Sequence, residues 1–324
     1  MPPVKRALRA GVLGTATALA GLLALAGCGS GKDTDASPKT PRGTTGAPAP
    51  SSKPKPKPSR TAAEPSADSG KRSSGSPEPT RGSDPKPTAV ELPPLHAGFD
   101  YQIGGAYPPA PGVRIVSRDR SSSPAPGLYN ICYVNAFQAQ PEERGQWPAD
   151  LLLRDADGKV VVDKDWDEAL LDISTPDKRR RVAARVDRWI DACADKGFDA
   201  IEPDNYDSYT RSRKLLSADD ATAFISLLSA RAHARHLAIG QKNTVELSGA
   251  RSRAGLDFAV AEECGEYDEC GAYAKAFHDR VVVIEYTDSG LRKARAAYGN
   301  RLSIVRRDVL VSTPGNADYV RRTR

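Results

Sequence analysis

The chain has 324 residues and a net charge of +6, from 47 Lys and Arg against 41 Asp and Glu. Three basic residues lie in 1–28 and residues 29–92 hold 11 basic and 7 acidic side chains, which leaves 33 basic against 34 acidic beyond residue 92. That balance excludes a nucleic-acid-binding domain, whose cationic excess must face phosphate, and the absence of Phe, Tyr or Trp before Phe99 excludes a packed aromatic core ahead of it.

Lys5, Arg6 and Arg9 precede an unbroken small-apolar run, Ala10–Ala26, which ends Leu25-Ala26-Gly27-Cys28. A charged start, an apolar run and small residues at a cut site form an export signal. The junction resembles a bacterial lipobox, so residues 1–27 are expected to be removed and Cys28 to carry lipid. A plain membrane anchor of similar length is the alternative, but Ala- and Gly-rich runs make weak spanning helices. A lipid on Cys28 predicts an exported protein held on the outer face of the cytoplasmic membrane.

Residues 28–94 read as a disordered Pro/Ser/Lys-rich linker. Residues 29–94 contain 14 of the 26 prolines, with a Lys-Pro alternation over Lys53–Pro58 that leans toward polyproline II. Such a composition buries too little apolar surface to offset chain entropy. The remaining 95–324 is the expected folded domain. Beyond Cys28 it holds Cys132, Cys193, Cys264 and Cys270, an even number that suits two disulfides in an oxidising compartment. Cys264 and Cys270 are close enough in sequence for a local clip, which pairs Cys132 with Cys193. A four-thiolate zinc site is disfavoured, because neither pair has C-x-x-C spacing.

Eight β-rich runs follow: Gly98–Ile103, Val113–Ser117, Tyr129–Asn135, Ala200–Asp204, Ala238–Gln241, Phe258–Glu262, Val281–Tyr286 and Ser303–Val309. Amphipathic helical patterns over Asp177–Lys196, Ala218–Arg235, Gly271–His278 and Gly290–Tyr298 lie between the later ones. Ser217 supplies a helix start and Gly197 a stop. Ala169–Ile173 is a further apolar run with no assigned place. Strands alternating with helices predict an α/β fold with a parallel sheet, and eight of them suit a (β/α)8 TIM barrel. A doubly wound open sheet is the alternative, but it usually carries a Gly-rich phosphate loop, and none is present.

Barrel enzymes place their chemistry at the C-terminal strand ends. Carboxylates stand there on the fourth strand (Glu202, Asp204), the sixth (Glu262, Glu263), the seventh (Glu285) and the eighth (Asp308). Side chains alternate along a strand, so Glu202 shares a face with Asp204, and Glu262 with Val260, while Glu263 takes the other. Facing carboxylates in an exported barrel point to glycoside hydrolysis.

The segments Phe99–Gly105, Ile131-Cys132-Tyr133, Leu171-Asp172-Ile173, Gly197–Asn205, Ile239–Asn243 and Glu262-Glu263-Cys264 through Glu269-Cys270 occur in this order. Together they closely resemble glycoside hydrolase family 114, the endo-α-1,4-polygalactosaminidases, over about residues 95–310. The resemblance implies a TIM barrel, cleavage of α-1,4-linked galactosamine polymers and an acidic pair matching Asp204 and Glu262, with Glu263 as rival for the second position. Asp204 is assigned as nucleophile and Glu262 as acid, then base, in a retaining reaction. Asp100, Lys242 and Asn243 are expected to bind sugar hydroxyls or the amino group, Tyr133 and Tyr286 to stack on or hydrogen-bond to the pyranose, and Glu202, Asn205, Glu263 and Glu285 to complete an acidic substrate cleft. No metal or cofactor is expected: His233 and His236 lack a third ligand, and Asp155–Gly158 reads as a tight turn. The expected partners are the polysaccharide and, through the lipid, the membrane, with no nucleic acid; the protein is expected to be a monomer. A non-catalytic sugar-binding lipoprotein on the same barrel, or a hydrolase of another glycan, are the alternative readings.

Overall fold

Apolar β-branched runs too short for helices form the eight inner strands of the protein, seen here in a computed structural model that describes residues 90–323. They are β1 (Gly98–Gln102), β2 (Val113–Asp119), β3 (Tyr129–Asn135), β4 (Ala200–Asp204), β5 (Ala238–Lys242), β6 (Phe258–Glu262), β7 (Val281–Glu285) and β8 (Ser303–Arg307). Each pairs in parallel with the next, so spatial order follows chain order. A short strand, Arg321–Arg322, pairs antiparallel with β8. The sheet curls until β8 lies beside β1, where the Ala97 N–H donates to Ser303 Oγ (2.9 Å). The fold is thus a nearly closed (β/α) barrel.

Four longer helices follow β3, β4, β6 and β7: α1 (Pro176–Lys196), α2 (Ala218–Ala234), α3 (Cys270–Phe277) and α4 (Asp288–Tyr298). Thr175 and Ser217 cap α1 and α2, and Gly197 ends α1 with φ 87°. The connections from β1 to β2 and from β2 to β3 hold no helix. Their prolines (Pro108, Pro109 and Pro111, then Pro124 and Pro126) lack the N–H that a helix interior needs.

Strand alternation separates two cores. Phe99, Ile115, Ile131, Ala200, Phe258, Val260, Val282 and Val305 fill the barrel, while Cys132, Ile201, Ile239, Ala259, Val283 and Ile304 face outward into the cluster that includes the helices. Gly240 is required inside: a Cβ there would stand 2.9 Å from the Phe258 ring. The last residues of the expected linker also belong to the body. Val90 and Leu92 pack on the inner core, and the Pro93 carbonyl accepts from Arg280 (2.8 Å). The expected signal peptide, the lipidated Cys28 and the rest of the linker, to residue 89, lie outside the described residues. No helix among the described residues is long and apolar enough to cross a membrane.

The unplaced run Ala169–Ile173 resolves into an insert between β3 and α1. Its three antiparallel strands are Gln138–Ala139, Val162–Asp163 and Glu168–Leu170, the last in the middle. Disulfides join Cys132 to Cys193, tying β3 to α1, and Cys264 to Cys270, clipping the loop after β6. His233 contacts Asp257 (2.8 Å), and Asp155–Gly158 is a turn closed by a backbone bond (2.9 Å).

Asp100, expected to bind sugar, instead closes the barrel seam. It points outward from β1, fully buried, with Oδ1 3.2 Å from Arg321 Nε and 3.6 Å from Arg307 Nη1. Tyr107 OH and Gln102 Nε2 donate to the same carboxylate (3.1 and 3.0 Å). Removing one partner of a buried ion pair leaves the other uncompensated. Asp100→Ala is expected to lower stability by about 3–5 kcal/mol in denaturant unfolding; a loss below about 1 kcal/mol would show that the seam does not depend on this carboxylate.

Candidate active site

Inward-facing side chains at the C-terminal ends of β3 to β7 line an open cleft. Asp204 ends β4 and Glu262 ends β6, one on each side of β5, whose last residue is Lys242. The Lys242 ammonium, 2 % exposed, lies 3.1 Å from Asp204 Oδ1, 3.4 Å from Glu262 Oε2 and 3.0 Å from Glu202 Oε1. The first two distances together make 6.5 Å, so the bridged oxygens of Asp204 and Glu262 are no farther apart than that. Both carboxylates keep about a fifth of their side chain open to the cleft.

Each carboxylate is fixed at two oxygens. For Asp204, Tyr133 OH donates to Oδ2 (2.6 Å) and the Asn205 N–H to Oδ1 (2.8 Å). For Glu262, Tyr286 OH donates to Oε1 and Asn243 Nδ2 to Oε2 (3.0 Å), while the Glu262 N–H donates back to Asn243 Oδ1 (2.9 Å). Asn205 (φ 65°) and Asn243 (φ 49°) both adopt the left-handed conformation just past a strand, which asparagine tolerates better than most residues. Their backbone turns put an amide beside each acid. Glu263 also has positive φ (58°) and lines the cleft, but it has left the strand alternation that carries Glu262 inward.

The charges set one another. Burial pushes the Asp204 carboxyl up, but the Lys242 ammonium and the bonds from Tyr133 and the Asn205 N–H outweigh it, and its pKa falls below the ordinary aspartate value. Burial would lower the Lys242 pKa, yet Asp204, Glu262 and Glu202 together hold it well above the ordinary lysine value. Tyr133 and Tyr286 are raised, chiefly by burial, and stay neutral hydrogen-bond donors.

Two expected substrate contacts do not reach the cleft. Glu202 is fully buried beneath it, accepting from Tyr101 OH (2.7 Å), Ser117 Oγ and Lys242; it anchors the lysine. Glu285 alternates outward from β7 and sits against the first turn of α4, where a Cβ on Gly290 would stand 2.0 Å from its Oε2. The Gly265 N–H donates to Glu285 Oε1 (2.7 Å). Burial, reinforced by Glu263 and Glu266, pushes the Glu285 carboxyl up to about 7. Asn205 lines the cleft, but its side chain is engaged by Asn135 (2.9 Å) and Arg211 (3.1 Å).

The cleft also contains residues that the sequence reading passed over: Tyr101 on β1, Asp163, Trp166 and Glu168 on the insert, Asp207 and Arg211 after β4, and Tyr267 in the disulfide-clipped loop. Tyr101 follows from alternation with the outward Asp100. A tryptophan within Asp163-Lys164-Asp165-Trp166-Asp167-Glu168, flanked by charges and unsuited to a core, was the available sign for the insert.

Lys242→Met removes the shared cation. Asp204 has a depressed folded pKa, so its pairing stabilises the fold above the unfolded aspartate pKa and is lost as pH falls through the folded value. The variant is therefore expected to be less stable than the parent by about 3–5 kcal/mol near neutral pH, with the deficit shrinking as the medium is acidified. Thermal unfolding against pH measures this, and a deficit that does not vary with pH would contradict it.

The shape of this barrel is shared with a solved structure. Ega3 of Aspergillus fumigatus, solved in complex with galactosamine, superposes with a TM-score of 0.58 at 23 % identity, covering 69 % of this chain and 96 % of that one. The glycoside hydrolase domain of PelA from Pseudomonas aeruginosa gives 0.46 at 14 % identity over 69 % and 99 %. None of the curated proteins matches this sequence. The model of glycoside-hydrolase family GH114 matches residues 80–323, most of the chain, which therefore belongs to that family and is a glycoside hydrolase.

Proposed function

We propose that the protein cleaves α-1,4-linked, galactosamine-containing polysaccharide, with Asp204 as nucleophile and Glu262 as proton donor and then base. The observation that carries this reading is the bridging of the two carboxylates by Lys242 at the base of an open cleft, with bridged oxygens at most 6.5 Å apart. That bound, on the nearest bridged oxygens, is compatible with the retaining geometry of about 5–5.5 Å between the carboxyl groups. Asp204, held ionised, attacks the anomeric carbon while Glu262 delivers a proton to the departing oxygen. Water then attacks the glycosyl-enzyme ester, giving its proton to Glu262 and releasing Asp204. Lys242 steadies the nucleophile and offsets the repulsion between the two acids.

The substrate class rests on charge. Asp163, Glu168, Asp204, Asp207, Glu262 and Glu263 line the cleft against Arg211 and Lys242. An acidic cleft draws in a cationic amino-sugar polymer and disfavours an anionic one. The galactosamine bound in the Aspergillus fumigatus structure supports the same choice.

Incubation with partly deacetylated α-1,4-galactosamine polymer is expected to release oligosaccharides. Asp204→Asn and Glu262→Gln are each expected to reduce release by at least about 10²–10⁴-fold while the protein stays folded by circular dichroism, at a lower melting temperature because each change removes a carboxylate paired with Lys242. An active Glu262→Gln beside an inactive Glu263→Gln would transfer the acid role to Glu263. A parent protein that binds the polymer and releases nothing would mark a binding protein.

We also propose that the chain is exported and tethered by lipid on Cys28, the linker letting the barrel reach outward. Cys28→Ser is expected to shift the protein from the membrane fraction to the medium. Retention of the variant in the membrane would count against lipid anchoring.

A further inference from the structure

Two carboxyls on the insert stand differently toward the cations of the cleft. Asp163 and Glu168 face each other across the insert's hairpin, and Trp166 sits in the turn between them. All three line the cleft. Asp163 is neutralised by Arg211 Nε at 2.7 Å. The same guanidinium forks onto Asp207 (2.8 and 2.9 Å) and reaches Asn205 Oδ1 (3.1 Å), so its charge is fully engaged.

Glu168 differs. It is 9 % exposed, and its hydrogen bonds come from the neutral amides of Asn135 (2.9 Å) and Asn205 (3.4 Å), both onto Oε2. No Lys or Arg among the described residues forms an ion pair with it. Burial, with Asp204 and Asp163 nearby, outweighs the Asn135 hydrogen bond and the Arg211 guanidinium and pushes its pKa up to about 7. A buried carboxyl that neutral amides orient, and that Arg211 reaches only from beyond ion-pair distance, is suited to a cation brought by the ligand. Asn205 links it to the reaction centre, since its side chain donates to Glu168 while its backbone N–H donates to Asp204. Trp166, 44 % exposed beside this carboxyl, offers an apolar ring where a pyranose face can lie.

We propose that the insert hairpin is an amino-sugar subsite next to the scissile bond, in which Trp166 packs on the pyranose ring and the Glu168 carboxylate accepts the ring's protonated amino group. This deepens the galactosamine reading and rests on it. Glu168 is a specificity residue here, and Trp166 binds the ring whether or not its nitrogen is acetylated. Arrival of an ammonium lowers the Glu168 pKa, so binding below about pH 7 releases a proton from that carboxyl.

The test uses the full chain with α-1,4-galactosamine oligomers and their N-acetylated counterparts. Glu168→Gln is expected to raise KM for the amino form about tenfold, as loss of a charge-assisted contact implies, and to leave KM for the acetylated form unchanged. Trp166→Ala, at an exposed turn that does not endanger folding, is expected to raise KM for both. Calorimetry near pH 6 in two buffers of different ionisation enthalpy is expected to show proton release on binding of the amino oligomer to the parent and none with Glu168→Gln. An unchanged ratio of the two KM values in Glu168→Gln would overturn the subsite while leaving the hydrolase reading intact. Loss of kcat on both oligomers would also overturn it, making Glu168 a proton donor. If the parent hydrolyses neither oligomer, the hydrolase reading fails on its own. The calorimetry then decides the subsite: release dependent on Glu168 supports it, and its absence overturns it.

Discussion

Everything at the top of this barrel depends on one buried ammonium. Lys242 has lost nearly all contact with water and is balanced by three carboxylates on two neighbouring strands. Without it, Glu202, Asp204 and Glu262 would repel one another in a poorly solvated space, and protonation or movement would relieve them. With it, Asp204 stays ionised and in contact distance of the same cation as Glu262. Glu202 takes no part in the cleft; its work is to hold the lysine from below while Tyr101 and Ser117 hold Glu202.

The same residue type therefore does different work at different depths. Asp204 and Glu262 are partly open and cation-paired. Asp100 is fully buried at the seam, where Arg307 at the end of β8 and Arg321 from the C-terminal segment substitute for a strand ladder between β1 and β8. Glu168 and Glu285 are both buried, form no ion pair among the described residues and are pushed up to about 7, but Glu168 borders the cleft and Glu285 lies behind the barrel against α4. What separates a ligand-facing acid from a structural one is its direction and its partners, not its place at a strand end.

Much of this was legible in the chain. The eight strands were marked by short β-branched runs, and the helix ends by Ser217 and Gly197. The two disulfides followed from the cysteine count and the nearness of Cys264 to Cys270. Alternation chose Glu262 as the inward residue over Glu263. Applied equally to β1 and β7, it also turns Asp100 and Glu285 outward and Tyr101 and Tyr286 inward, so those two expected contacts were excluded by a rule already in use. The missing helices after β1 and β2 were likewise written in their prolines.

The insert was not legible in this way. Its strands are two or three residues long, too short for periodicity to register, and its role comes from pairing Asp163 with Glu168 and folding back beside β4. The sequence by itself determined the barrel, the cross-links and the inward direction of Asp204 and Glu262, because a strand's two-residue period is a local property. Only the tertiary structure decided which carboxylates share a cation, which are left without one and which face the cleft, because those are set by distances between residues far apart in the chain and by the water that packing leaves around each.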